Sequence, residues 1–187
     1  MKRMAFDGII KEIYPIFEVI ILLKAKILAI AVFLLSLFIL QGCGKDVVQE
    51  DLLNYINTEL PKVADKENQV LNDYASVTGD KYTSDEVVYN TLNDKIMPTY
   101  AKFINDLEKI KPSTPEVQKI HEQYVTAANT QQNAFIMIVS AIEKQDSAEL
   151  ASANEKLAST RQLLREWEAS LKQLADKHGV KIDPPKE

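Results

Sequence analysis

The chain has 187 residues and a formal net charge of −5, from 22 Lys and Arg residues against 27 Asp and Glu residues. Five of the cations and three of the anions precede residue 43, so the remainder carries a net charge of −7. This balance argues against nucleic-acid binding, which needs clustered cations, and against attraction of the whole domain to an anionic membrane. The only cysteine is Cys43, so no internal disulfide can form.

An apolar run from Ile27 to Leu40 leads directly into the sequence Leu40-Gln41-Gly42-Cys43. The run is shorter than the roughly 20 residues of a membrane-spanning helix, and its length fits the apolar core of a signal peptide. Lys24 and Lys26 supply the positive segment that such a core requires. The cysteine is preceded by a small residue and, three positions before it, by an apolar one, as a lipoprotein cleavage site requires.

This segment resembles the signal peptides of bacterial lipoproteins as a class, and the resemblance extends only to Cys43. It implies cleavage before Cys43, a diacylglycerol group on its thiol and a fatty acid such as palmitate on the new amino terminus. It places the protein on the extracytoplasmic face of the cell membrane, or at the outer membrane of a Gram-negative source. We therefore interpret residues 1–42 as a signal peptide and residues 43–187 as one lipid-anchored domain. The alternative is an uncleaved membrane anchor.

Residues 1–23 do not fit a signal peptide, because Asp7, Glu12 and Glu18 interrupt a segment that should be short and positive. Our hypothesis is that translation begins near Leu22 or Leu23 from a non-AUG codon.

The apolar residues beyond Cys43 recur at spacings of three and four, which predicts an all-α domain of four amphipathic helices. Proline removes a backbone donor and clashes with the preceding turn, so Pro61 and Pro98 predict breaks in the first two helices. The predicted inward positions, helix by helix, are Leu53, Ile56, Leu60, Val63, Val70 and Tyr74; Tyr89, Leu92, Ile96, Phe103, Leu107 and Ile110; Val117, Ile120 or His121, Tyr124, Ala128, Gln131, Phe135, Ile138 and Ile142; and Leu150, Ala153, Leu157, Thr160, Leu164, Trp167, Leu171 and Leu174.

The helix ends are marked by capping residues. Thr83 with Glu86 predicts a capping box for the second helix, Thr114 before Pro115 predicts the third start, and Asp146 predicts the fourth. Gly179 predicts the final C-cap. Because the loops are short, the helices are expected to form an antiparallel up-down-up-down four-helix bundle, each helix about 45 Å long.

The sequence predicts no catalytic residue, no metal site and no cofactor, and therefore no enzyme. Di-metal bundles use the Glu-x-x-His motif, but Gln118 precedes His121 and Ala175 precedes His178 at that spacing. The two histidines leave a haem site open as an alternative. Their ordinary roles are a core histidine at 121 and a helix C-cap at 178.

One polar layer is predicted inside the apolar core. Antiparallel pairing through the Gln145-Asp146 turn places Gln131 beside Thr160 and Arg161, and counting through the other loops brings Glu67 to the same height. A buried carboxylate needs a partner, for which Arg161 is the candidate. The layer is either a ligand pocket opened at the two prolines or a lock on the packing register. The lack of small-residue gaps in these helices favours the lock.

Three of the seven tyrosines flank the loop between the first two helices, which is predicted to lie farthest from the membrane. Tyrosine is a good interface residue because it offers large contact area with few rotors. We therefore predict a partner surface of Lys81 and Tyr82 with Gln145 and Asp146 beside them. Two functions remain: an interaction module for an envelope or secreted protein, or a ligand-binding or sensory bundle holding a small molecule or haem.

Overall fold

The computed structural model describes residues 45–182, and every regular element in this range is helical. The all-α prediction is therefore confirmed for this part of the chain. By its internal contacts, the compact unit that contains these helices begins at Asp46. The predicted signal peptide and Cys43 lie outside the described residues. Within residues 45–182, no helix combines the length and the hydropathy needed to cross a membrane.

Residues 45–182 form six α-helices, several of which run on from one another through short turns of different pitch. The α-helices are α1 (Val47–Asn54), α2 (Pro61–Ala75), α3 (Asp85–Thr91), α4 (Met97–Leu107), α5 (Pro115–Lys144) and α6 (Ser147–Lys177). A π-helical turn, Tyr55–Glu59, joins α1 to α2, and a second, Leu92–Ile96, joins α3 to α4. A short 3-10 turn, Gly79–Lys81, lies between α2 and α3.

Each π-helical turn ends just before a proline. A proline ring clashes with the carbonyl four residues earlier, so the regular α-helical pattern cannot continue through it. Instead, the Leu60 N–H donates to the Tyr55 carbonyl five residues back, at 2.9 Å. In the same way, the Met97 N–H donates to the Leu92 carbonyl. The breaks predicted at Pro61 and Pro98 thus take the form of one widened turn each, with the helix continuing beyond.

The helices pack into a bundle-like arrangement around one hydrophobic core. Helices α5 and α6 contact each other along their lengths, α2 packs on α4, and α4 packs on α5. The largest fully buried side chains are Tyr55, Tyr100, Phe103, Phe135, Leu52, Leu92, Ile96, Leu107, Val63, Val70 and Val117.

Two predicted core positions are wrong. Leu53 is 39% exposed, and Leu52 and Tyr55 are buried in its place. The π-helical turn explains this shift, because an extra residue per turn changes which side chains face inward. Leu150 is 37% exposed because it lies in the first turn of α6, at the end of the packed region.

The helix ends follow the predictions except at two capping side chains, those of Thr83 and Thr114. Ser84, not Thr83, caps α3, since its hydroxyl accepts the Val87 N–H at 3.3 Å. Asp146 caps α6 as predicted, by accepting the Ala148 and Glu149 N–H groups. Gly179 has a φ of 67°, and the following Val180 N–H donates to the Ala175 carbonyl at 2.9 Å. This is the left-handed C-cap that the glycine predicts.

Candidate functional site

Asp51 on α1 holds the loop that precedes α5. Its buried carboxylate accepts the Ser113 N–H at 3.0 Å, the Thr114 N–H at 2.8 Å and the Thr114 hydroxyl at 2.7 Å. Thr114 therefore does not cap its own helix through its side chain. A carboxylate at this position also interacts favourably with the positive end of the α5 dipole. Asp51 thus performs, from another helix, the role that the sequence assigns to Thr114.

The start of α1 is also bound to the end of α6. Asp46 Oδ2 lies 2.7 Å from His178 Nδ1, and the Gln49 side-chain amide donates to the His178 carbonyl at 2.7 Å. The hydrogen bond to His178 is the main reason that the pKa of Asp46 lies below its ordinary value. We refer to Asp46, Gln49, Asp51 and His178 as the base cluster. Its polar groups bind other parts of the same chain.

A second polar cluster lies in the core around Tyr124 of α5. The Tyr124 hydroxyl donates to Glu67 Oε2 at 2.6 Å, and its ring stacks on Trp167 with centroids 4.5 Å apart. Burial raises the pKa of Glu67, while the hydrogen bond from Tyr124 partly offsets this effect. Burial also raises the pKa of Tyr124, and the charge of Glu67 adds to it. The pair therefore couples a neutral phenol to a partly desolvated carboxyl group.

Tyr55 and His121 form the adjoining pair in the core. The Tyr55 hydroxyl lies 3.2 Å from His121 Nδ1, and the two rings meet edge to face. Burial lowers the pKa of His121, and the positive charge of Lys111 lowers it further. A neutral imidazole can accept a hydrogen bond from the Tyr55 hydroxyl at Nδ1. His121 therefore has the core role that the sequence favours for it, with Tyr55 of the first π-helical turn as its partner.

Only two of the four residues of the predicted polar layer are buried. Gln131 and Thr160 are both buried, and the Thr160 hydroxyl donates to the Lys156 carbonyl within α6 at 3.0 Å. Glu67 binds Tyr124, which lies seven residues before Gln131 on α5. Glu67 is therefore about two helical turns away from the position predicted for it beside Gln131. Arg161 is exposed, and its charge acts on Tyr74 rather than on Glu67. Counting residues through the loops misplaces Glu67, because the π-helical turns and the Gly79–Lys81 segment depart from the regular α-helical spacing.

The predicted partner surface is exposed. Tyr82 is 53% exposed, its hydroxyl donates to Asp85 at 3.0 Å, and Lys81 beside it is also exposed. Gln145 and Asp146 are exposed in the turn between α5 and α6, where Gln145 has a φ of 53°. We refer to Lys81, Tyr82, Gln145 and Asp146 as the tip surface.

One contact links the two parts of this region. The Tyr89 hydroxyl on α3 donates to Glu143 Oε1 on α5 at 2.6 Å. Glu143 lies two residues before Gln145, and Tyr89 lies seven residues after Tyr82. The loop before α3 and the turn after α5 are therefore located at the same end of the helices.

The described residues contain no group of three or more acidic, histidine or cysteine side chains that is arranged to hold a metal ion. One groove on the helix surfaces lies between α5 and α6 and is lined by Lys119, Glu122, Gln123, Thr126, Leu163 and Glu166. Another reaches the edge of His121 from Glu108 and Lys111. Neither groove is lined by Glu67, Gln131 or Thr160.

Sequence reasoning missed Asp51, the Glu67–Tyr124 pair and the Asp46–His178 pair. Asp51 was detectable in principle, because it lies among Val48, Leu52 and Tyr55, which form the true inward face of the first helix. The other two pairs join residues 57 and 132 positions apart, and no local pattern indicates them.

The comparisons with known proteins find no relative. The chain matches no protein-family model, and the searches of curated proteins and of solved structures give no significant match.

Proposed function

We propose that this chain is an exported lipoprotein, anchored through lipid on Cys43, whose helical domain binds an envelope or secreted protein at the tip surface. The proposal combines the cleavage sequence before Cys43 with the exposure of Tyr82 and Lys81. In this function the domain is an interaction module rather than an enzyme.

The proposal includes an up-down-up-down topology of four long helical segments. This topology is supported by three contacts that join the ends of the helical segments. Asp51 connects the first segment to the loop before α5, Gln49 connects it to the end of α6, and the Tyr89–Glu143 bond joins the opposite ends. With α1 starting within a few residues of Cys43, this topology directs the base cluster toward the membrane and the tip surface away from it.

The contrast between the two ends is the observation that carries the proposed function. At the base cluster, Asp51 and His178 bind partners within the chain. At the tip surface, Tyr82 presents an exposed aromatic ring, and Lys81 is exposed beside it. Exposed tyrosines on loops are favourable anchors for a partner protein. The tip surface is therefore the end of the domain that is open to a soluble partner.

The buried polar side chains have a packing role in this proposal. Glu67 is bound by Tyr124, and neither the groove between α5 and α6 nor the groove beside His121 is lined by it. A polar group at an inward position penalises packings that slip along the helix. We therefore assign Glu67, Gln131 and Thr160 to the specification of register and not to a ligand pocket.

The double substitution Lys81→Ala and Tyr82→Ala tests the partner surface. Cells producing the anchored chain with photoactivatable leucine and methionine are irradiated, so that crosslinking does not depend on Lys81. Truncation of an interface hot spot weakens binding by roughly thirtyfold or more, so we expect at least a tenfold loss of the crosslinked product. The helical circular dichroism signal of the variant should not change, because both side chains are exposed.

A matched double variant on the helix flanks, Lys102→Ala with Ile136→Ala, serves as the control, because both residues are exposed and lie outside the tip surface. It should crosslink as the unmodified chain does. Undiminished crosslinking in the Lys81 and Tyr82 variant would move the partner site from the tip surface to the flanks.

A further inference from the structure

Two surface grooves between the first two helical segments share the side chain of Asp106 on α4. The first groove is lined by Lys66, Ala101, Lys102, Asn105 and Asp106. The second is lined by Glu59, Lys62, Val63, Asp106, Lys109 and Ile110. Because Asp106 borders both, the two grooves form one surface that contains four lysines and two acidic residues.

The two acidic residues hold three of these lysines in place. Lys109 Nζ lies 2.9 Å from Asp106 Oδ1, and Lys66 Nζ lies 3.2 Å from Asp106 Oδ2. These contacts, that of Lys109 first, hold the pKa of Asp106 below its ordinary value, so its carboxylate stays charged. Lys62 pairs with Glu59 at 2.8 Å. The ammonium groups are therefore kept close to one another on the surface.

Two carboxylates do not neutralise four ammonium groups. Of the 17 cations and 24 acidic residues from residue 43 onward, four cations but only two acidic residues line these grooves. The local charge is therefore +2, in a domain whose net charge is −7. The side chains of Lys62 and Lys109 are 58% and 67% exposed. A local excess of positive charge on an acidic domain attracts an anionic ligand to that place.

The lining residues also indicate which kind of anion fits. No aromatic side chain lines either groove, so the bases of a nucleic acid have nothing to stack on. Val63 and Ile110 are buried and offer no exposed apolar anchor for an acidic peptide. The cations are all lysines, which bind phosphates as point charges, whereas bidentate recognition of a carboxylate favours arginine. These features favour a ligand that carries phosphates without bases or apolar groups.

The lysines are spread along the direction of the helices. Lys62 and Lys66 are four residues apart on α2, and Lys102 and Lys109 are seven residues apart on α4 and the turn after it. At 1.5 Å per residue, these separations correspond to about 6 Å and about 10 Å. Such a spread suits a chain of phosphates that follows the grooves better than it suits a single phosphate.

We propose that Lys62, Lys66, Lys102 and Lys109, which we call the lysine patch, bind a linear polymer of phosphates along the flank of the domain. Inorganic polyphosphate and phosphodiester polymers share this chemistry. The site is separate from the tip surface and does not depend on a lipid at Cys43.

A double substitution in the lysine patch tests the site. Binding is measured by the fluorescence anisotropy of a short polyphosphate labelled at one end, with the full chain in a nonionic detergent. Lys62→Ala with Lys109→Ala lowers the local charge to zero and leaves the pair of Lys66 with Asp106 between α2 and α4 intact. Each lysine at an anionic surface contributes about a fivefold factor in affinity, so we expect roughly thirtyfold weaker binding. The helical circular dichroism signal should not change, because both side chains are exposed.

The salt dependence of binding reports the number of contacts. For a flexible strand, the slope of log K against log salt concentration is about −0.7 per phosphate contact. We therefore expect a slope of about −3 for the unmodified chain and about −1.5 for the double variant.

Lys172→Ala with Lys177→Ala on α6 is the matched control. It removes the same total charge from exposed positions, and neither residue lines the two grooves. Its affinity and its salt slope should equal those of the unmodified chain. Equal weakening in the two double variants would overturn the proposal, because binding would then follow the net charge of the chain. No binding of the probe by the unmodified chain would overturn it as well.

Unlabelled competitors distinguish the possible occupants. Polyglutamate that displaces the probe as well as polyphosphate does, at equal charge, would identify an acidic peptide as the occupant and overturn the proposal. Glycerophosphoglycerol that displaces the probe equally well, at equal phosphate concentration, would identify a lipid headgroup and also overturn it. Displacement by poly(glycerol phosphate) would support the proposal with a phosphodiester polymer as the source. Displacement by polyphosphate alone would support it with inorganic polyphosphate as the source.

Discussion

Replacing Asp51 with alanine is expected to lower the free energy of unfolding by about 3 kcal/mol. The carboxylate accepts hydrogen bonds from three donors of Ser113 and Thr114, and it is buried. Its removal leaves these donors without an acceptor and removes a negative charge from the start of α5. Urea unfolding followed by circular dichroism measures the loss.

Asn54→Ala is the matched control for the Asp51 variant. Asn54 lies on the same helix and is exposed, so its substitution should change the free energy of unfolding by no more than about 0.5 kcal/mol. If both variants unfold at the same urea concentration, Asp51 does not hold the loop before α5 as described above.

The second large effect is expected from Tyr124→Phe, which retains the ring that stacks on Trp167 and removes only the hydroxyl. We expect a loss of about 2 kcal/mol at pH 7, because hydrogen bonds to charged groups contribute about 1.5–3 kcal/mol. The Glu67 carboxylate would then remain partly desolvated without its donor. Urea unfolding at pH 7 and pH 4 measures the effect.

The loss in this variant should depend on pH. Because burial raises the pKa of Glu67 above its ordinary value of 4.5, the folded chain retains a proton that the unfolded chain has already lost. Stability therefore decreases as the pH rises from 4.5 through the folded pKa. Without the Tyr124 hydroxyl, the pKa of Glu67 in the folded chain rises further. At pH 4 the Glu67 carboxyl group is protonated, so Tyr124→Phe should lower the free energy of unfolding by only about 1 kcal/mol there.

Tyr82→Phe provides a matched control for this measurement, since it removes a similar hydroxyl-to-carboxylate bond at an exposed site. It should leave the midpoint of urea unfolding unchanged at either pH, because hydrogen bonds between exposed groups contribute little to stability. If Tyr124→Phe lowers the free energy of unfolding equally at pH 7 and at pH 4, the charge on Glu67 does not strengthen this hydrogen bond.

The helical pattern of the sequence predicts most of the core because packing selects one face of each helix. The inward positions from Val117 to Ile138 are buried, as their spacing predicts. The pattern is displaced at Leu53, where a proline farther along the chain forces a π-helical turn. Whether a proline produces a kink or a widened turn depends on the tertiary packing around it. The spacing of apolar residues gives no information about that packing.

The polar contacts are less predictable because they depend on which helix ends meet. Exposure of Lys81 and Tyr82 follows from their place in a loop, and the sequence predicts it. Glu67 binds Tyr124 instead of Arg161 because small shifts accumulate over two loops and two π-helical turns. A displacement of two turns is enough to exchange one polar partner for another.

The central claim is that the mature protein begins at a lipid-modified Cys43, and the intact mass of the chain extracted from its own membranes tests it most directly. We predict the mass of residues 43–187 plus a diacylglyceryl group, with or without a further fatty acid on the amino terminus. The Cys43→Ala chain should lack this species. A membrane-extracted chain with an unmodified Cys43 that still carries residues preceding it would contradict the account.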